Sequence, residues 1–313
     1  MRLIKLPSET NFSFMKFWKL GFIVSTTLSV LSLILFLAVG MNYGIDFQGG
    51  TLVEIQTKDG PADLGEIRAE ISDLNLGDVQ IQQFGAPDDV LIRVVRQPGG
   101  EEAQQRAVQL IRDVFGDTVD FRRVEVVGPR VSAELAQAGV IAVIAALLAI
   151  MVYIWLRFEW HFAVGAVITT VHDVLLTIGI FAVVQLEFNL TSIAAVLTIV
   201  GYSLNDTVVV YDRVRENLRR YKKMPMAELL DLSVNQTLSR TVMTSLTTLI
   251  ALVALFIFGG EVIRSFTFAM IWGVAIGTYS SIFVAAPMLI WFKLRPTDSA
   301  GKDDEVVAEG VAS

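Results

Sequence analysis

Residues 162–185 read FAVGAVITTVHDVLLTIGIFAVVQ, an apolar run broken near its middle by His172 and Asp173. A helix rises 1.5 Å per residue, so roughly 20 such residues cross the hydrocarbon of a bilayer. Charge-free runs also occupy 20–45, 135–156, 188–205, 241–260 and 265–292. Reading 162–185 as a span rather than a loop therefore brings the count to six. The fourth continues past Asp206 through VVVY to about 211. The expected helices are about 20–41, 136–156, 162–184, 190–211, 241–259 and 266–292. A water-soluble enzyme and a peripheral protein are both excluded. Ala38-Val39-Gly40 resembles a signal-peptide cleavage site, but the apolar core before it is twice the usual length, so the first run reads as a retained span.

Composition narrows the chemistry. The 313 residues include no cysteine and only His161 and His172, so no thiolate metal site, disulfide or histidine cage is expected, and no cofactor. A net charge of -7 gives no general basic face for nucleic acid. Lysine and arginine are distributed asymmetrically. The head through Lys19, Arg157, the connector 212–240 and the tail 293–313 share one side of the membrane and hold most of them. The positive-inside rule puts that side and both termini in the cytoplasm. Segment 42–134, with 9 basic and 17 acidic residues, then faces outward, the periplasmic side in a bacterium.

That outward segment alternates strand and helix signals. Residues 51–57 alternate like a half-buried strand, and Leu64, Ile67, Ile71 and Leu74 follow at helical spacing. Residues 79–84 and 90–96 form a strand pair, 101–115 an amphipathic helix and 121–127 a last strand. The order βαββαβ predicts a ferredoxin-like α+β domain. It contains no catalytic pair and no phosphate loop, so contact with something outside the membrane is its expected task. The link into it, Gly44-Ile45-Asp46-Phe47-Gln48-Gly49-Gly50-Thr51, reads as a tight helix-to-strand hinge, with Asp46 bonding backbone groups.

Ionisable groups inside a membrane are costly and usually face a bundle interior or a wet cavity. Asp173 lies twelve residues, about 18 Å, from His161, near the bilayer middle. It reads either as a protonatable site modulated by His172 or as a neutral interhelical hydrogen bond. Asp206 sits in Gly201-Tyr202-Ser203-Leu204-Asn205-Asp206-Thr207, where Gly201 and Ser203 permit close helix approach. Ser203, Asn205 and Thr207 offer hydrogen bonds around its carboxyl. A proton moving down a potential yields about 2.3 kcal/mol per 100 mV, and a buried carboxyl is the simplest group to convert that into a packing change. Polar glue between helices is the alternative. Arg240, opening the fifth span, either pairs with Asp206 or snorkels to the interface. Pro225 divides the basic connector into two expected helices, 212–223 and 225–238, lying on the membrane or docking on a cytoplasmic complex. The tail from Pro296 is expected to be disordered.

Five segments together resemble the SecF family of bacterial protein-export membrane proteins: GIDFQGGT at 44–51, VGPRVSAEL at 127–135, VHDVLLTIG at 171–179, GYSLNDTVVVYDRVREN at 201–217 and NQTLSRTVMTSLTT at 235–248. The resemblance implies half of an RND-type transporter in the bacterial inner membrane, paired with SecD about a pseudo-two-fold axis. It implies a non-enzymatic, proton-driven accessory to SecYEG that acts on preproteins after the SecA motor, with YajC and YidC as further partners. On that pattern Asp206 and Arg240 carry the proton coupling, together with an Asp of SecD, and Asp173 follows the His-Asp motif of the third span. Half of a small-molecule RND efflux pump, or a scaffold that only stabilises SecD, are the alternative readings.

Overall fold

The computed structural model describes residues 10–292 and Leu294. The first nine residues of the head, and the tail apart from Leu294, lie outside the described residues. In chain order, a 3-10 turn Phe14–Phe17 leads into α1 (Trp18–Ala38), then short α2 (Ile45–Gln48), β1 (Gly50–Thr57) and α3 (Leu64–Ser72). β2 (Val79–Gln83), β3 (Asp89–Val94), α4 (Gly100–Phe115) and β4 (Val119–Val127) complete the extramembrane domain. Helices α5 (Pro129–Arg157), α6 (Trp160–Val184), α7 (Leu190–Arg220), α8 (Met226–Phe258) and α9 (Arg264–Ser280) follow. A π turn, Ser281–Ala285, joins α9 to α10 (Ala286–Trp291). Among the described residues, six helices are long and apolar enough to cross a membrane, beginning at Phe14, Pro129, Trp160, Leu190, Met226 and Arg264.

The helix ends differ from the sequence reading for local reasons. α1 stops at Ala38 because Gly40 takes φ +76°, a left-handed turn no helix continues through. α5 begins at Pro129, seven residues before the expected 136, since proline in a first turn lacks only an N–H that would be unpaired anyway. The connector breaks at residues 221–225, as expected at Pro225, but its two helical pieces are continuous with the fourth and fifth spans. α7 runs on to Arg220 in place of the expected 212–223, and α8 starts at Met226 with Pro225 as its N-cap. Val214, Leu229, Leu230 and Val234 bury these extensions against one another. Asn217 ties them by donating to Ser233 Oγ and Gln236 Oε1, both at 2.9 Å. Pro287 explains the π turn, because it cannot donate to the carbonyl four residues back. The backbone resolves this by a wider bond from Ala286 N–H to Ser281 C=O.

The sheet has the order β2-β3-β1-β4, every neighbour antiparallel, which is the ferredoxin-like arrangement. Val53, Ile55, Val90 and Ile92 on one face meet Ile67 and Ile71 of α3 and Ile111 and Phe115 of α4. The opposite face places Leu52 and Leu91 against Ile45 of α2. In the membrane part α6 and the last span are the most enclosed, while α1, α5 and α8 show long apolar faces outward. α1 holds on through small residues. Gly21, Ser25 and Ser32 are its buried side, with Ser32 against Gly179 and Gly21 against Phe283. A cavity of about 530 Å³ opens among α1, α5, α6 and α7, lined by Phe36, Tyr43, Phe47, Val140, Ile178 and Phe188. At the other end of the bundle, residues 10–15 are strapped onto α8. Asn235 accepts from Phe12 N–H and donates to Phe12 C=O, at 2.9 and 2.8 Å, and Asp231 accepts from Met15 N–H at 2.8 Å.

Candidate functional site

Asp173 is completely buried, and three side chains meet its carboxylate. His172 Nδ1 lies 2.8 Å from Oδ1, while the hydroxyls of Ser203 and Ser280 donate to Oδ2 at 2.5 and 2.8 Å. The carboxylate thus joins α6 to α7 and α9 at one point. Close helix packing makes this possible. Gly273 sits against Ile199 and Gly277 against Ser203, so α9 presents a small-xxx-small face to α7. Any side chain at Gly277 would meet Ser203 Cβ at 3.1 Å. Sequence reasoning named Ser203 but missed Ser280. The Gly273-Val274-Ala275-Ile276-Gly277 spacing was the signal that α9 closes on another helix at this depth.

Asp206 is three residues beyond Ser203, about 4.5 Å along α7. It is only 2% exposed, yet its Oδ2 has no hydrogen-bond partner. Thr207 Oγ1 and Thr241 Oγ1 are buried and unpartnered too. The neighbouring polar residues do not surround the carboxyl as the sequence suggested. Ser203 is committed to Asp173, and Asn205 points out of the bundle. Successive helix positions diverge by about 100°, so flanking side chains turn away from the one between them. Gly201 meets nothing within 4 Å and does no packing inside this chain. Arg240 is the charged neighbour of Asp206, but no nitrogen of it comes within the 4.0 Å of an ion pair, and its side chain is exposed. Pairing and snorkelling are both within reach of that position. Among the described residues, no group of three or more acidic or histidine side chains is arranged to hold a metal.

The 44–51 link lies at the other surface. Gly49 (φ +72°) and Gly50 (φ +133°) hold conformations that side chains rarely adopt, and a Cβ at Gly50 would lie 2.5 Å from Val94 C=O. Asp46 Oδ2 accepts from Leu190 N–H at 2.9 Å, fastening α2 to the first turn of α7. Beside it, Arg93 of β3 reaches across to Glu187 in the α6–α7 connection at 2.5 Å, and also donates to Asn42 Oδ1 at 3.2 Å. Burial raises the pKa of Glu187, outweighing the opposing pull of Arg93. This latch was not singled out in the sequence. A lone glutamate in a short connection between two apolar spans was its only trace.

Comparison with known proteins decides the family. Residues 107–295 match the model of the protein export membrane protein SecD/SecF, C-terminal, and residues 34–60 match the SecD/SecF GG motif. The chain belongs to the SecD/SecF family. It is 46% identical over 294 residues to the protein translocase subunit SecF of Rickettsia rickettsii, covering 93% of this chain and 94% of that one. The SecF of Rhodobacter capsulatus is 46% identical over 99% of this chain and 97% of its own length. Against the SecDF of Brucella abortus identity is 45%, with 99% of this chain matched to 41% of that longer protein. The crystal structure of SecDF, a translocon-associated membrane protein from Thermus thermophilus, superposes with a TM-score of 0.83 at 34% identity. That match covers 94% of this chain and 40% of the Thermus protein. The SecD/SecF model describes export, not efflux, and so decides between those two readings. The matched GG motif contains Gly49 and Gly50, whose backbone conformations account for the residue type.

Proposed function

We propose that the chain acts as the SecF half of a SecD–SecF assembly, using the proton motive force to help preproteins cross the bacterial inner membrane. One observation carries the proton part. Asp206 is a carboxyl buried within a span and left with an unpartnered oxygen, whereas both oxygens of Asp173 are occupied. An ionised carboxylate so placed needs a cation or water, and protonation removes that need. In its charged form Asp206 draws Arg240 of the adjacent α8 inward; on taking a proton it releases that arginine to the interface. Ser203, one turn away, passes a shift of α7 to Asp173 and thence to α6 and α9. Asp173 and His172 act here as the joint, and Asp206 as the proton carrier.

The partner would lie along α7. Ala194, Thr198, Gly201 and Asn205 form an exposed stripe at helical spacing, and among the described residues a side chain at Gly201 would meet nothing within 4 Å. An asparagine facing lipid is costly, so SecD is its natural cover, supplying the second carboxyl that the family resemblance implies. The distribution of basic residues supports a reading with both termini in the cytoplasm and the ferredoxin-like domain in the periplasm, beside a polypeptide leaving SecYEG, with YajC and YidC as further members of the assembly. The test is pulse-labelled secretion in cells whose only copy carries Asp206→Asn, with and without the membrane potential. The gradient-dependent part of export should vanish while the protein stays at parental level, and Asp206→Glu should restore part of it. Full gradient-dependent export by Asp206→Asn rejects the reading.

A further inference from the structure

The two edges of the four-stranded sheet are treated differently. β4 is defended. It carries Asp120, Arg122, Arg123 and Glu125, and a bulge leaves Arg122 as the extra residue between the pairs Glu54–Arg123 and Ile55–Phe121. Bulges and charges are standard means of blocking a further strand. β2 has neither. Residues 79–84 read VQIQQF, without charge or proline, and the register to β3 runs unbroken from Val79–Val94 to Gln83–Val90.

The phase of its hydrogen bonds shows which groups are free. Val95 N–H donates to Asp78 C=O at 3.2 Å and Phe84 N–H to Asp89 C=O at 3.1 Å. Bonded pairs alternate along an antiparallel ladder, so Gln80 and Gln82 face β3, while Val79, Ile81 and Gln83 aim their N–H and C=O groups away from the sheet. Helix α3 packs alongside β2 and adds an acidic lip: Glu66, Glu70, Asp73 and Asp78 are exposed there against the single Arg68.

We propose that the outer edge of β2 binds an extended polypeptide with basic residues, which adds to the sheet as a fifth strand. The ligand chemistry follows from the groups on offer. Free amides and carbonyls in strand register recognise another backbone and read no side chain. The acidic lip selects among such segments by charge, and a folded partner offers no unpaired backbone unless it too has an open edge. The proposal rests on the export reading for its source of unfolded chain: an emerging preprotein is extended, varied in sequence and still lacks backbone partners.

The test uses the full chain in lipid nanodiscs and a fluorescent peptide of alternating Val and Thr with a lysine at each end. Gln83→Pro deletes one outward N–H, keeps every bond to β3 and replaces an exposed side chain. It should weaken peptide binding about tenfold, the scale of one lost hydrogen bond. On the unaltered protein, a peptide N-methylated at every second amide should lose binding to the same degree, which needs no variant to fold. Because the chain has no native cysteine, a cysteine-bearing peptide should be captured by Gln82→Cys and not by Asp120→Cys. Equal affinity for the methylated peptide, or unchanged binding by a folded Gln83→Pro, overturns the proposal. So does self-association abolished by Gln83→Pro, which makes a second copy the occupant, or release of the peptide by added SecD, which makes the edge a subunit interface. Failure of the export reading shows separately, in Asp206→Asn secretion.

Discussion

Asp173 accepts from His172, Ser203 and Ser280, whereas Asp206, three residues past Ser203, keeps an oxygen with no partner. A saturated carboxylate holds its helices together, and removing it strands Ser203 Oγ and His172 Nδ1, while Ser280 keeps a bond to Gly277 C=O. Asp173→Ala should therefore lower the unfolding midpoint in detergent more than Asp206→Ala does, by a margin worth about 1–3 kcal/mol. Equal midpoints would refute the joint role. The two aspartates themselves stood out in the sequence because charge inside an apolar run is conspicuous. The difference in their surroundings did not, since it depends on which hydroxyl comes within 3 Å. Ser280 is one unremarkable serine in an apolar helix until α9 is placed against α7.

Helix contacts made through glycine fall into two kinds here. Gly277 abuts Ser203, so Gly277→Leu should force α7 and α9 apart and cost about 1–3 kcal/mol, visible as a lower unfolding midpoint. Gly201 meets nothing within 4 Å. Gly201→Leu should leave the isolated chain as stable as before and reduce its copurification with SecD; retained copurification would remove SecD from that stripe. The sequence reading located all six spans and all four strands, but the fifth span starts at Met226 and not 241, the fourth ends at Arg220 and not 211, and the second starts at Pro129 and not 136. What hydropathy could not reveal is continuity. Pro225 reads as a break in the connector, and only the packing of Leu229, Leu230 and Val234 on Val214 makes α7 and α8 run on past the membrane-length segments. The π turn was equally hidden, though Pro287 is its cause.

Across the whole molecule, the extramembrane domain is joined to the bundle through the Gly49-Gly50 link and by the Arg93–Glu187 latch. Glu187 has its pKa raised by burial. The folded state then takes this proton more readily than the unfolded chain does, so the linked stability grows as pH falls through the raised value and is absent well above it. Undocking the domain exposes Glu187, so its protonation favours the docked state in the same sense, even though the neutral carboxyl no longer balances Arg93. Acidifying the face that carries the domain should hold it more firmly, and raising the pH through the raised value should loosen it. Spin-label distances between domain and bundle should broaden on the alkaline side in the parent and be insensitive to pH in Glu187→Gln. The strap at the far end has a consequence in time. Phe12 waits for Asn235, 223 residues later in the chain. At about 5–20 residues per second, synthesis alone imposes a delay of tens of seconds before the N-terminal segment has anywhere to dock. Assembly is therefore sealed by the fifth span, and a ribosome stalled before it leaves a chain whose beginning is still unmoored.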